Sequence, residues 1–300
     1  MKEFSNKNLG KNVFLACCVL PSLALFSLFI LYPAVKVFIT SFYEDTGLGN
    51  AAKFVGLANF TAMFQDEIFY IALKNTGFLV AAVAVPTIFL GLVFAALLTS
   101  GKIKESGFYR IVFFFPSILS FVVIAILWSF IYHPTMGVLN AVLGLAGLEG
   151  PEIPLLGNRD TVMWAIAVTM IWQAAGYYMV MYMAGIDGIS REIYEAAEID
   201  GAGSSQQFWR ITVPLLWSII RTTIIFAING VITISFTIVK VMTNGGPDRD
   251  SEVLLTQMYN HAMNANFGYA MAIAVFVFII SILLSIISNR LTGKETVENG

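Results

Sequence analysis

Residues 70–99 read YIALKNTGFLVAAVAVPTIFLGLVFAALLT, and the single charged side chain among them is Lys74. A membrane-spanning helix needs about 20 mainly apolar residues to cross a hydrocarbon core about 30 Å thick. This stretch exceeds that length, so it predicts a span that tilts or protrudes from the bilayer. Five further segments of the chain meet the same criterion. The six predicted spans are 13–40, 70–99, 108–131, 160–184, 211–242 and 268–289.

The composition of the whole chain agrees with a membrane protein. Hydrophobic residues make up 58% of its 300 residues and charged residues 12%, whereas soluble domains average about 45–50% and 25%. The net charge of -2 provides no basic surface for nucleic acid, and the aromatic residues lie in apolar runs rather than among Lys and Arg. We therefore expect an all-α, polytopic membrane protein in the lipid bilayer that does not bind nucleic acid.

The sequence contains no pattern typical of a metal site or a disulfide framework. Its two cysteines, Cys17 and Cys18, are adjacent in an apolar run and lack the paired spacing of zinc ligands. His133 and His261 fall in predicted outer loops, each without a second ligand nearby in the sequence. The apolar stretch 13–35 is longer than the 7–15 residues of a signal-peptide core, so we expect it to remain as a span.

The distribution of Lys and Arg predicts the orientation, because cytoplasmic loops carry an excess of these residues. If the N-terminus is inside, the cytoplasmic side collects Lys2, Lys7, Lys11, Lys102, Lys104, Arg110, Arg191, Arg210, Arg290 and Lys294. The outer loops then hold mainly Lys53, Arg159 and Arg249, each with acidic neighbours. We expect cytoplasmic tails at 1–12 and 291–300, and one transmembrane domain at 13–290.

The predicted cytoplasmic loop at about 186–210 is unusually acidic and is typical of two short helices. Ser190 can cap the first helix and Gly201 can end it after about three turns. The Ser-x-x-Gln spacing at 204–207 is that of a capping box and predicts a second helix that continues into the fifth span. Pro214 is expected to kink the entry to that span.

Two interpretations of this loop are open on its residues alone. It can be an amphipathic hairpin with a solvated acidic face and an ion pair between Arg191 and Glu195, four residues apart. Alternatively it can be a docking surface, because small residues allow another protein to approach closely. The small residues are Ala196, Ala197, Gly201 and Ala202.

The loop also carries a recognisable motif. Glu195-Ala196-Ala197-x-x-Asp200-Gly201-Ala202, followed by Phe208-x-x-Ile211-x-x-Pro214-Leu215, resembles the EAA signature of ABC importer permeases. Further stretches resemble the carbohydrate-uptake branch of that family, the maltose and glycerol-phosphate type. They are Phe54-Val55-Gly56-Leu57-Ala58-Asn59-Phe60, Asn75-Thr76, Pro134-x-x-Gly137-x-Leu139-Asn140, Thr243-Asn244-Gly245-Gly246-Pro247 and Phe267-Gly268-Tyr269-Ala270.

The resemblance implies a type I ABC importer permease fold in the bacterial cytoplasmic membrane, with six transmembrane helices and a cytoplasmic coupling helix. It assigns contact with the ATPase to Glu195, Ala196, Ala197, Asp200, Gly201 and Ala202. It further implies a second, different permease subunit, two ATPase subunits that bind ATP and Mg, and an extracytoplasmic sugar-binding protein. The chain has no Gly-x4-Gly-Lys-[Ser/Thr] phosphate loop, so we expect no catalytic residue, no cofactor and no ATP hydrolysis on this chain.

Polar and aromatic side chains within the fourth and fifth spans are candidates for the substrate pathway. Aromatic rings stack on the apolar faces of a sugar, and amides and hydroxyls bind its hydroxyl groups. Polar residues inside spans usually face a bundle interior or a wet cavity, although they also form bonds between helices without touching substrate. The candidates are Trp172, Gln173, Tyr177, Asn229, Thr233 and Ser235.

The charge pattern of the spans favours an uncharged substrate. Arg221 is the only basic residue well inside the fourth or fifth span, and it lies toward the cytoplasmic end. A phosphate or carboxylate bound at midmembrane would favour a fixed cation there. A sugar is therefore preferred, with glycerol phosphate or another polyol as the alternative. An ion-coupled secondary transporter is less favoured, because no carboxylate lies at a predicted span centre.

Overall fold

The computed structural model describes residues 2–47, 49, 51–100, 103–147 and 154–293. Helices dominate this part of the chain, which confirms the all-α expectation, and its two strands are only two residues long. The helices are α1 (Lys2–Phe26), α2 (Tyr32–Thr40), α3 (Ala58–Gln65), α4 (Glu67–Thr99), α5 (Ser106–Ile118), α6 (Phe121–Ile131), α7 (Val138–Leu145), α8 (Arg159–Asp187), α9 (Arg191–Ile199), α10 (Ser204–Gln207), α11 (Val213–Leu215), α12 (Trp217–Met242), α13 (Leu254–Met263) and α14 (Phe267–Thr292). The strands are β1 (Tyr43–Glu44) and β2 (Lys53–Phe54).

Four helical segments of the described chain are long and apolar enough to cross a membrane. They are Val13–Thr40, Glu67–Thr99, Trp217–Met242 and Phe267–Thr292. Helices α5 and α6 together make a fifth if they count as one span, although they bend by 103° where they meet. This bend was not predicted for segment 108–131. It follows Pro116, and Leu119 and Ser120 adopt extended backbone angles between the two helices.

The fourth predicted segment, 160–184, forms helix α8, which is long enough to span at 29 residues but less apolar than the others. Its position explains the composition. It packs against α4, α5 and α12 and buries residues along most of its length. A helix shielded by neighbouring helices does not need a lipid-compatible surface all round. The count of six spans therefore stays a prediction.

Two π-helical turns interrupt the long helices, and each precedes a proline. The first, Ser27–Leu31, lies before Pro33, and the second, Phe208–Thr212, lies before Pro214. Proline has no backbone N–H and its ring clashes with the preceding turn, so the helix widens locally. The kink expected at Pro214 takes the form of the short helix α11 and a break at Leu216.

The described chain divides into two compact units. The first comprises Met1–Gln65 and Met258–Phe276. In it the Asn59 side chain donates to the carbonyl oxygens of Ser41 and Tyr43, both at 2.9 Å. A Cβ atom at Gly268 would lie 2.0 Å from the same Tyr43 oxygen. Two stretches that resemble the permease family, 54–60 and 267–270, therefore meet at one strand end.

The second unit comprises Asp66–Gln257 and Val277–Gly300. In it the Asn75 amide of α4 donates to the carbonyl oxygens of Asp250 and Glu252, at 2.8 and 2.9 Å. The Thr76 hydroxyl accepts from the Leu254 backbone N–H at 3.1 Å. These bonds fasten the loop after α12, which contains the Gly245-Gly246-Pro247 stretch, to α4. Asn75-Thr76 thus holds in place the loop that contains the 243–247 stretch.

Candidate functional site

Helix α9 is the first half of the predicted loop, and none of its residues is buried. The six predicted coupling residues lie on it or directly after it. Glu195, Ala196, Asp200 and Gly201 are exposed, whereas Ala197 and Ala202 are partly buried. Ile199 adds an apolar side chain that is 87% exposed beside these carboxylates. Ile193, 41% exposed, is a second apolar side chain on the surface of this helix.

The start of α9 differs from the prediction in one detail. Ser190 has the extended backbone of an N-cap residue, but its side chain makes no capping hydrogen bond. The predicted ion pair is also missing, since no salt bridge joins Arg191 to Glu195 in the described part of the chain. The Glu195 carboxylate is exposed to solvent.

The end of α9 follows the prediction closely. Gly201 has a φ of +78°, a backbone conformation that residues other than glycine rarely adopt. The N–H of Gly201 donates to the Glu198 oxygen at 3.0 Å, and the N–H of Ala202 donates to the Ala197 oxygen at 2.8 Å. This pair of bonds is a Schellman motif, which turns the chain sharply. A Cβ at Gly201 would meet nothing within 4 Å, so it is the backbone angle that requires glycine.

The second helix of the loop begins one residue earlier than predicted. Gly203, not Ser204, is the N-cap of α10, and its N–H donates to the Gln206 side chain at 3.2 Å. The Gln207 side chain instead donates to the Ala202 carbonyl at 3.1 Å. We refer to residues 190–212 as the α9–α10 hairpin. Its glutamines hold the turn between the two helices.

One side-chain bond, not anticipated from the sequence, ties the two arms of the α9–α10 hairpin together. The hydroxyls of Tyr194 on α9 and Thr212 in the second π-helical turn lie 2.9 Å apart. Thr212 is only 5% exposed. The chain continues from Thr212 through α11 into α12, so this bond connects α9 to the segment that leads into that helix.

The pathway candidates on α8 lie in different environments. Trp172 is 38% exposed, and its ring meets that of Trp128 on α6 at 5.5 Å. Tyr177 is 46% exposed. Gln173 is 7% exposed and lines a small gap of about 30 Å³ between α4, α8 and α12. The structure therefore leaves Trp172 and Tyr177 accessible and encloses Gln173.

The candidates on α12 do not converge with those on α8. Asn229 donates to the Ser285 hydroxyl of α14 at 3.1 Å and to the Ile225 carbonyl at 2.9 Å. The exposed Thr233 hydroxyl donates to the Asn229 carbonyl at 3.0 Å. Ser235 is 1% exposed and donates to the Ile232 carbonyl at 2.8 Å. Only Thr233 presents a hydroxyl at the surface.

Two polar groups near the pathway candidates escaped the sequence analysis. The Thr87 hydroxyl, beside Gln173, and the Trp128 indole N–H, beside Trp172, are buried without a hydrogen-bond partner in the described part of the chain. Buried polar groups usually have partners, so each exception calls for an explanation such as a water or a ligand. Neither residue belongs to a sequence motif, and only its surroundings in the fold identify it.

Comparison with known proteins identifies the family. Residues 87–294 match the family described as binding-protein-dependent transport system inner membrane component. The chain is 37% identical over 274 residues to the probable ABC transporter permease protein YurN of Bacillus subtilis (strain 168), covering 90% of this chain and 94% of that one. It is 35% identical over 295 residues to the diacetylchitobiose uptake system permease protein NgcF of Streptomyces coelicolor, covering 93% and 83%.

A solved structure has the same fold. The bacterial alginate ABC transporter in complex with alginate pentasaccharide-bound periplasmic protein contains a chain that superposes with a TM-score of 0.84 at 22% identity, covering 97% of this chain and 98% of that one. The family match spans more than half of the sequence, and the relatives align over nearly its whole length. This chain therefore belongs to the inner-membrane components of binding-protein-dependent transport systems and is a permease subunit of an ABC transporter.

Proposed function

We propose that this chain forms half of the translocation pathway of a bacterial importer for a neutral sugar or oligosaccharide. A second, different permease subunit supplies the other half, and α8 serves as the sixth span. A sugar-binding protein outside the membrane delivers the substrate. Two ATPase subunits bind ATP and Mg and dock on the cytoplasmic side, where both termini of this chain lie.

The observation that carries the proposal is the α9–α10 hairpin. Its motif is accompanied by exposed carboxylates, an exposed Ile199 and a sharp turn at Gly201. Glu195 and Asp200 offer negative charge to basic groups of the ATPase. The small residues Ala196, Ala197 and Ala202 let the partner approach the helix backbone.

The choice of a neutral saccharide follows from the side chains available in the spans. Trp172 and Tyr177 present accessible rings, and Thr233 presents an accessible hydroxyl. Gln173 and Ser235 are buried between the helices and become accessible when the helices move, whereas Asn229 faces α14. Arg221 lies at the start of α12 and binds Asn289 of α14, so it is not placed to bind an anion at midmembrane. The uptake of diacetylchitobiose by a relative supports a saccharide.

The coupling role is tested by reversing one charge. We expect Glu195→Lys to lower sugar uptake about tenfold or more and to reduce co-purification of the ATPase, because losing one partner of a charge pair across an interface costs about 2–5 kcal/mol. Glu192→Lys, also exposed on α9, is the matched control for a change of net charge. Normal uptake and normal ATPase recovery for Glu195→Lys, at equal abundance in the membrane, would contradict the proposal.

A further inference from the structure

The start of α12 and the end of α14 are joined by side-chain hydrogen bonds. The indole N–H of Trp217 donates to the Thr292 carbonyl at 2.8 Å. Arg221 Nε donates to Asn289 Oδ1 at 2.8 Å, and Arg221 Nη2 donates to the same oxygen. Because α12 begins at Trp217 and α14 ends at Thr292, these two helix ends lie at the same level of the membrane. A Trp at such a helix end is typical of the membrane interface.

An open groove of about 430 Å³ runs between α12 and α14 away from this level. Its lining is Ile225, Asn229, Phe278, Ser281, Ile282, Ser285, Ile286 and Asn289. We call it the α12–α14 groove. Ile282, Ile286 and Phe278 are 43%, 44% and 52% exposed, so its apolar wall is accessible.

Asn229 and Ser285, two of the polar residues in the α12–α14 groove, already have hydrogen-bond partners. Asn229 donates to Ser285 at 3.1 Å, and the Ser285 hydroxyl donates to the Ser281 carbonyl at 2.8 Å. A polar group that already has a hydrogen-bond partner does not need one from a ligand. The groove is therefore suited to an apolar chain rather than to a sugar that needs hydrogen bonds.

The Arg221 guanidinium at the end of this groove has no charged partner. Its hydrogen bonds go to a neutral amide, and no carboxylate pairs with it in the described part of the chain. Arginine stays charged at every physiological pH and offers five N–H donors, of which Asn289 engages two. A cation this close to the hydrocarbon boundary is stabilised by an anion at the same depth.

We propose that the α12–α14 groove binds an anionic phospholipid. The lipid phosphate accepts hydrogen bonds from the Arg221 guanidinium at the level of Trp217, and one acyl chain lies along Ile225, Ile282 and Ile286. Charge complementarity selects this occupant: a helix of a partner protein would have to bring its own carboxylate to Arg221. With the predicted orientation the site faces the cytoplasmic leaflet, which is rich in anionic lipid.

The site is tested by lipid retention, which does not depend on which substrate is transported. The full chain, in the complex in which it is purified, is incorporated into vesicles of equimolar phosphatidylglycerol and phosphatidylcholine and then extracted in mild detergent. Mass spectrometry measures the ratio of the two lipids that remain bound. We expect wild type to retain phosphatidylglycerol preferentially, and Arg221→Gln to lower that preference about fivefold, the factor that corresponds to one basic residue at a charged membrane surface.

Controls separate this site from general charge effects and from misfolding. Arg210→Gln removes an exposed arginine that does not line the groove and should leave the preference unchanged. Ile282→Trp fills the groove without touching its hydrogen bonds and should lower retention of both lipids, so it tests the site even if Arg221→Gln assembles poorly. An unchanged lipid ratio in Arg221→Gln, together with unchanged total lipid retention in Ile282→Trp, would overturn the proposal. So would a wild type that retains the two lipids equally.

Discussion

At Gly176 the backbones of α8 and α5 approach so closely that a side chain has no room. A Cβ atom there would lie 1.9 Å from the Phe113 carbonyl oxygen and 2.9 Å from the Phe114 Cα. Both neighbours are backbone atoms, so neither can turn aside as a flexible side chain would. Small residues at helix contacts in membranes allow this kind of close approach.

We therefore expect Gly176→Ala to lower thermal stability, because forcing extra volume into a packed contact costs about 1–3 kcal/mol. Gly77→Ala is the matched control: Gly77 lies in α4, is exposed, and a Cβ there would meet nothing within 4 Å. The melting temperature of the detergent-solubilised complex compares the two. Equal melting temperatures for the variants would contradict the close approach of α5 and α8.

Gly201 and Gly176 show how much a sequence reveals about the structural role of a single residue. Gly201 could be predicted as a helix end because its neighbours form a local pattern, and its positive φ bears this out. Gly176 could not, because its requirement comes from Phe113 on another helix. The same limit applies to Thr87 and Trp128, whose unpartnered polar atoms depend on distant neighbours.

At the scale of elements, the two arms of the α9–α10 hairpin are joined by a side-chain hydrogen bond. The contact between Tyr194 and Thr212 lies between the exposed helix α9 and the chain that leads into α12. In the proposed coupling role, this hydrogen bond would carry a displacement of α9 to that chain. Coupling of ATP hydrolysis to transport should therefore depend on it.

We expect Tyr194→Phe and Thr212→Val each to lower the amount of sugar taken up per ATP hydrolysed by a few-fold, since one hydrogen bond contributes about 0.5–1.5 kcal/mol. The double variant should be no worse than either single one, because both remove the same bond. Tyr109→Phe, an exposed tyrosine on α5, controls for loss of a hydroxyl. Additive losses in the double variant would show that the two residues act separately.

The long elements were predictable, but of their interruptions only the kink at Pro214 was predicted. Each of the six predicted segments coincides with helical structure, because the length of an apolar run is visible in the sequence. The 103° bend between α5 and α6 was missed, since Pro116 is compatible with a continuous helix as well as with a break. Pro86 illustrates this, because it lies inside the unbroken helix α4.

At the scale of the whole molecule, the bonds between α12 and α14 bear on topology. They place the end of α14 beside the start of α12. The α9–α10 hairpin leads directly into α12, so it lies on the same side of the membrane as the end of α14. This relation is independent of the Lys and Arg distribution that predicts which side is cytoplasmic.

We expect a reporter that is active only in the cytoplasm to work when fused after Asp187 or Gly300 and to fail after Gly49 or Gly150. The reason is the excess of basic residues near the span ends on the first side. Activity of the fusions in membranes, corrected for their abundance, is the measurement. Opposite results after Asp187 and Gly300 would contradict the placement of the hairpin and the C-terminus together, whereas uniform reversal would contradict only the orientation.

The pathway is the part that the sequence determines least at this scale. Trp172, Gln173 and Asn229 were chosen as polar or aromatic residues within spans, and they fall on separate surfaces. A helix has several faces, and which of them borders a pathway depends on its neighbours, including those of a partner subunit. The α9–α10 hairpin was easier to identify because its motif, turn and exposure belong to one continuous segment.

The bonds that join α12 to α14 can form only late in the synthesis of the protein. Arg221 and Asn289 are 68 residues apart in the chain, and Trp217 and Thr292 are 75 apart. Translation proceeds from the N-terminus, so α12 is made well before its partners on α14 leave the ribosome. During that interval Arg221 lacks the amide that engages it in the finished protein. Insertion of the last helix is thus the step that completes the hydrogen bonding of a helix made earlier.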